Sequence, residues 1–347
     1  MLPVCRECLC THNFNGGSWM IKRRFLKVTA SLLLTVLFIC LLNFLFVPPM
    51  NDHWANRDRK ISENEIDTVF IGDSLGMYSV QPSVYDKEFN SFSYNACTAC
   101  QDFSDSYFLL LDYINSFPRL KEVFLMLDYY NFSLDLNYGV SSRLVQFNRI
   151  RSPYLKAKYL YETCPINDWY NIVIKKALYK TDPNDVIKNI NVKMSREYRN
   201  YNKLTNEDIF YCDKGYVCTY MTNHNESDQS YDVSRMNTDS LRYFNKIIEL
   251  CNKKNIRLSV IHSPMTLNRM NSLKNYNELY LTVKSACESF NINYYDYNYP
   301  SKIIDLDYTS DFKDNTHLNY YGSCKFMKHL CRVLSGDKEA LEQFNQQ

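Results

Sequence analysis

The strongest pattern in the chain is an apolar run at residues 28–47, interrupted only by Thr29, Ser31, Thr35 and Asn43. At about 1.5 Å per residue, such a run is long enough to cross the roughly 30 Å hydrocarbon core of a bilayer as a helix. Lys22, Arg23, Arg24 and Lys27 stand just before it, and Pro48 and Pro49 end it. The positive-inside rule then places residues 1–27 in the cytoplasm and everything after about residue 50 outside. No small-x-small cleavage site follows the run, so the expectation is a retained single-pass anchor rather than a removed signal peptide.

After a polar stretch at 48–63, read as a linker, apolar runs alternate with helical patterns. Residues 66–71, 92–94, 123–127, 256–261 and 292–297 read as strands. The unbroken apolar run 123–127 is typical of a strand buried on both faces. Helical spacing appears at 103–114, in Leu241, Phe244, Ile248 and Cys251, in Tyr276, Leu279, Val283, Ala286 and Phe290, and at 320–334. About five strands separated by helices predict an α/β fold over residues 64–347, with a doubly wound, mostly parallel sheet between two helical layers. From about 133 to 237 the pattern dissolves into segments rich in Tyr, Asn and Lys. That stretch is too long for a loop and reads as an insertion over the strand ends, where ligands of such sheets bind.

Charge removes one class of function. With 40 basic and 38 acidic residues the net charge is +2, too little field to hold a nucleic-acid backbone. Nine of the 13 cysteines lie beyond the anchor, in a compartment where disulfides form. Cys212 and Cys218, flanking the turn residues 213–215, are the best-placed pair. Cys251, Cys287, Cys324 and Cys331 read as small apolar side chains on helices. Cys5, Cys8, Cys10 and His12 have a zinc-like composition but lack a second ligand pair at finger spacing. Codons for Gly16 and Gly17 can spell a ribosome-binding site just before Met20, so residues 1–19 are a candidate untranslated stretch.

Two elements carry chemistry. Gly72-Asp73-Ser74-Leu75-Gly76 follows the first expected strand directly, so a turn there exposes a serine hydroxyl at the carboxyl edge of the sheet beside backbone N–H groups. Near the other end stands Asp314-Asn315-Thr316-His317-Leu318-Asn319, with Gly322 three residues on. A hydroxyl needs a base to become a nucleophile, and the base needs an acceptor to hold its tautomer. Of the six histidines only His317 has an aspartate three residues earlier. His262, ending the fourth strand, reads as a structural histidine, and Asp296 has a similar status.

Together the strand-GDSL opening and the Asp-x-x-His-Leu-Asn-x-x-Gly ending resemble the SGNH/GDSL hydrolase superfamily, over about residues 64–335 apart from the insertion. Ser91-Phe92-Ser93-Tyr94-Asn95 and residues 291–298 are similar to single-anchor members encoded with surface-polysaccharide machinery. The resemblance implies that Ser74 is acylated, that His317 is the base and that Asp314 supports it. It implies O-acyl transfer or ester cleavage on cell-surface glycans, with an acylated glycan or acyl donor as substrate and a membrane acyltransferase as a conceivable partner. No metal or organic cofactor is implied. The chain departs from the pattern in its oxyanion donors. No glycine occurs between Gly76 and Gly139, and Leu127-Asp128-Tyr129-Tyr130-Asn131 replaces the third motif. Beside Leu75 N–H, the expected substitutes are Asn95 or the backbone around Ala96 and Cys97 for the second motif, and Asn131 or Asp128 for the third. A non-catalytic binding factor of the same fold and a lipid or thioester esterase are the competing readings.

Overall fold

The apolar runs become strands, and the chain is long enough to cover both of their faces. The computed structural model describes residues 15–49, 52–132, 139–199, 209–222, 230–299 and 303–345; the Cys5, Cys8, Cys10 and His12 cluster lies outside them. In chain order the strands are β1 (Thr68–Gly72), β2 (Ser93–Asn95), β3 (Glu122–Leu127), β4 (Phe210–Tyr211), β5 (Val217–Cys218), β6 (Tyr231–Asp232), β7 (Arg257–His262), β8 (Leu273–Lys274) and β9 (Asn293–Asp296). The α-helices of the first half are α1 (Asn15–Phe46), α2 (Asp52–Ser62), α3 (Ser74–Ser79), α4 (Pro82–Phe89), α5 (Phe103–Ser116), α6 (Gly139–Arg149) and α7 (Pro153–Thr163). They are followed by α8 (Trp169–Val173), α9 (Pro183–Met194), α10 (Arg196–Arg199), α11 (Thr238–Lys253), α12 (Leu267–Ser272), α13 (Tyr276–Ser289), α14 (Tyr320–Leu334) and α15 (Lys338–Asn345).

Five strands pair in the order β2-β1-β3-β7-β9, all parallel. This is the doubly wound α/β sheet expected from the alternation. Side chains alternate across it as the two-residue strand period demands. Val69, Ile71, Val123, Leu125 and Val260 enter one core with α5, α11 and α13. Phe70, Phe124, Met126 and Ile261 enter the other with α4 and α14. Each fully buried side chain of this size stabilises the fold by roughly 1.5–3 kcal/mol. Cys251, Cys287 and Cys331 are buried on their helices as expected, while Cys324 is half-buried and accepts a hydrogen bond from Gln81.

Residues 48–63 are not only a tether. Most of them form α2, whose Arg59 is buried and donates to the Arg149 carbonyl at 2.7 Å. Tyr94 Oη donates to Ala55 O and Tyr211 Oη to Asp58 on the same helix. Hydropathy misses this docking because polar groups make it. Helix α1 contains the one segment among the described residues that is long and apolar enough to cross a membrane, Ile21–Phe46.

The insertion contributes α6 to α10 and the β4–β5 hairpin. The hairpin tip presses on the end of β2. Asn95 N–H donates to Lys214 O at 2.8 Å, and a Cβ on Gly215, whose φ is +90°, would stand 1.8 Å from the Asn95 carbonyl oxygen. Only glycine fits there. Across the hairpin, Cys212 Sγ and Cys218 Sγ are 3.0 Å apart. The pair singled out by its turn is therefore positioned to close a disulfide. In protein recovered from an oxidising compartment, non-reducing peptide mapping is expected to find these two cysteines linked; quantitative alkylation of both without reductant would contradict it.

Candidate active site

The sheet order places β1 between β2 and β3, so the chain leaves β1 towards one side and returns on the other. The crevice at the carboxyl ends of β1 and β3 is the topological switch point, the usual ligand position in such sheets. Ser74 opens α3 on one lip, and Asp128 follows β3 on the other.

The turn after β1 is shaped by its neighbours. Asp73 has extended backbone, with φ at −95°, and caps α3 through its carboxylate, which accepts Leu75 N–H at 3.0 Å. A Cβ on Gly76 would stand 2.4 Å from Cys97 Sγ and 2.7 Å from the Met126 side chain, so the missing side chain lets the helix seat on β3. Burial first, and then the charge and hydrogen bond of neighbouring Asp128, hold the Asp73 carboxyl well above the ordinary carboxylate range.

The other half comes from the loop before α14. Phe312 and Leu318 form an antiparallel bridge, and both side chains are buried in the second core. The residues between them therefore project as a short arch. Lys313 N–H donates to His317 O at 2.8 Å across its base. Asn319 caps α14 by accepting from Tyr321 N–H and Gly322 N–H. Asp314 accepts the backbone N–H groups of Thr316 and His317, both at 2.8 Å.

These two elements, 243 positions apart, meet. His317 Nε2 lies 2.8 Å from Ser74 Oγ, and His317 Nδ1 lies 2.9 Å from Asp314 Oδ2. Read as a network, Nδ1–H donates to the carboxylate and Nε2 accepts the serine hydroxyl proton. Burial raises the Asp314 carboxyl, but the hydrogen bond and charge of His317 and the two backbone N–H groups outweigh it, leaving the carboxyl well below its usual range. It stays ionised and can stabilise an imidazolium. Tyr78 stands edge-on to the His317 ring with centroids 5.3 Å apart, and Lys313 Nζ sits over the Tyr78 ring at 4.6 Å. Ser74, Asp314 and His317 are all half-buried, open to a substrate.

The expected oxyanion donors fare differently. Leu75 N–H is already given to Asp73. Both amide hydrogens of Asn95 are engaged, with Gly76 O at 3.1 Å and Val80 O at 3.0 Å, and its Oδ1 accepts Cys97 N–H. Asn95 is therefore a brace under the serine helix, a correction that follows from its hydrogen bonds. Asn131 is buried on the loop after β3, and its Oδ1, an acceptor, has no hydrogen-bond partner among the described residues. One position escaped the sequence reading. Cys100, on the loop leaving β2, has φ at +57°, and its N–H makes no hydrogen bond among the described residues. The left-handed backbone commonly needs a glycine, so its residue type concealed it; the only signal was the short Thr98-Ala99-Cys100 stretch at a strand end.

His262 is fully buried, with Nδ1 on Tyr276 Oη and 3.6 Å from Asp296. Asp296 also accepts Tyr276, Tyr294 and Asn298 N–H. That cluster belongs to the interior, as the structural reading of His262 anticipated. A cavity of about 520 Å³ opens at the opposite edge of the sheet, beside Lys121, Glu122 and Arg257, and contains none of the relay residues.

No family model matches the chain, and no curated protein does. Among solved structures, a chain described as a candidate platelet activating factor from Streptococcus pneumonia is similar over 88% of this chain and 99% of its own, at 11% identity and a TM-score of 0.35. At that distance the likeness bears on neither mechanism nor substrate.

Proposed function

We propose that this chain is a serine-dependent esterase or O-acyltransferase that works through an acyl-enzyme on Ser74. The supporting observation is the unbroken relay from Ser74 Oγ through His317 to Asp314 at the switch point of the sheet. His317 takes the hydroxyl proton as Oγ attacks an ester carbonyl, then returns it to the departing alcohol. Water or a sugar hydroxyl, deprotonated by the same imidazole, accepts the acyl group in the second half. We assign the developing oxyanion to Cys100 N–H and the Asn131 Nδ2–H. Acyl esters of cell-surface glycans are the substrate class that the motif resemblance supports. Helix α1 would hold the domain outside the membrane, where a membrane acyltransferase could act as partner.

A second reading has its own support. Leu75 N–H and Asn95 are spent internally, and loss of a single oxyanion donor costs roughly two to three orders of magnitude in rate. A non-catalytic factor that binds glycan through the same cleft would tolerate that. A fluorophosphonate probe separates the two. The expected outcome is covalent labelling of wild type and none of Ser74→Ala; an unlabelled wild type favours the binding factor. Comparing p-nitrophenyl acetate with long-chain esters then tests for a lipid esterase.

A further inference from the structure

The last turn of α1 is clasped by the insertion. A helix end leaves four carbonyls without intrahelical donors, and here they are answered from one neighbourhood. Lys193 Nζ donates to Phe44 O at 2.6 Å and to Val47 O, and Asn189 Nδ2 reaches Leu45 O at 3.4 Å. Lys180 N–H donates to Phe46 O at 2.8 Å, and Tyr179 Oη to Asn43 Oδ1 at 3.0 Å. The Tyr179 and Phe46 rings lie 5.4 Å apart. Along α1 exposure falls only at this end: residues 21–38 are exposed, while Asn43, Leu45, Phe46 and Val47 are half-buried.

Position along the span converts this clasp into a depth. If Lys22, Arg23, Arg24 and Lys27 mark one membrane face, about 20 residues of helix cross the hydrocarbon and reach the other face near Val47. Lys193, bonded to the Val47 carbonyl, therefore stands at headgroup level. The elements around it carry apolar and aromatic side chains turned outward. Tyr170 and Val173 on α8 are 54% and 51% exposed, and Ile187 and Met194, one heptad apart on α9, are 57% and 54% exposed. Lys176 lies over the Tyr170 ring at 5.3 Å, and Lys175 and Lys188 are close in sequence. Exposed tyrosines and aliphatics interleaved with lysines are the composition of a helix that rests in a membrane interface.

We propose that α8 and α9 rest on the outer leaflet and bind phospholipid there, so that the bilayer holds the domain through this surface as well as through α1. The proposal rests on α1 being a membrane span and is independent of the chemistry at Ser74. The domain is then held in one orientation relative to the bilayer.

The test uses the full chain in nanodiscs of phosphatidylcholine and phosphatidylglycerol doped with a phospholipid bearing a diazirine high on its acyl chain. After irradiation, mass spectrometry is expected to find lipid adducts on residues 21–47 and on the peptides carrying Tyr170, Val173, Ile187 and Met194. Leu267 and Leu281, 69% and 52% exposed on other elements, should stay at least fivefold lower. Ile187→Asp with Met194→Asp, both surface changes, should cut the α9 adducts at least fivefold. Adducts confined to residues 21–47, or equal yields at Leu267 and Leu281, would each overturn it. Absence of adducts on residues 21–47 would remove the span itself, a failure recognisable apart from the others.

Discussion

Ser74→Ala and His317→Gln should each lower kcat/KM for p-nitrophenyl acetate by roughly four orders of magnitude, and the double variant should be no worse than either single. Non-additivity is the sharper half of this expectation. The imidazole accelerates the reaction only by removing the serine proton, so once the hydroxyl is gone the base has nothing to act on, and the reverse holds equally. The 2.8 Å contact between Nε2 and Oγ makes the two a unit. Because Ser74 and His317 are half-buried, the thermal midpoint should move by only about a degree or two, which separates lost chemistry from lost folding. Additive effects of the two substitutions would mean that the residues act separately, and the proposed mechanism would fall.

The largest loss of stability is expected from Arg149→Ala. This side chain is among the largest that are fully buried. It donates to Ala96 O at 2.8 Å and to Gln101 Oε1 at 3.1 Å, while its own carbonyl accepts Arg59. It thus joins α6 of the insertion, α2 and the loop that carries Cys100. Truncation leaves a void and strands several buried oxygens, at a cost of about 3–5 kcal/mol. Urea denaturation should report a shifted midpoint with little change in slope. A loss under about 1 kcal/mol would show that the insertion and the sheet are not joined through this guanidinium.

The sheet was legible because nothing but burial on both faces explains runs such as Val123-Phe124-Leu125-Met126-Leu127. The contact of Ser74 with His317 was legible because Ser74 follows the first strand and His317 precedes α14, positions that a parallel sheet brings to one edge. Helix α2 was not, since Arg59 is buried by a hydrogen bond that no hydropathy pattern records. Asn95 illustrates a second limit. Its residue type permits donation to a substrate, but only coordinates reveal that the Gly76 and Val80 carbonyls consume both hydrogens. Cys100 illustrates the converse, because a left-handed backbone leaves no mark in the sequence when a residue other than glycine adopts it.

The arch between Phe312 and Leu318 has a temporal meaning. During synthesis the serine emerges early, while its imidazole is still more than two hundred codons away. A nascent chain therefore carries Ser74 without its imidazole partner, and on the proposed mechanism the hydroxyl becomes nucleophilic only when the loop before α14 docks. Long-range closure of that kind is slow, so on the proposed mechanism the nucleophile would stay inert until β1 and the arch have met.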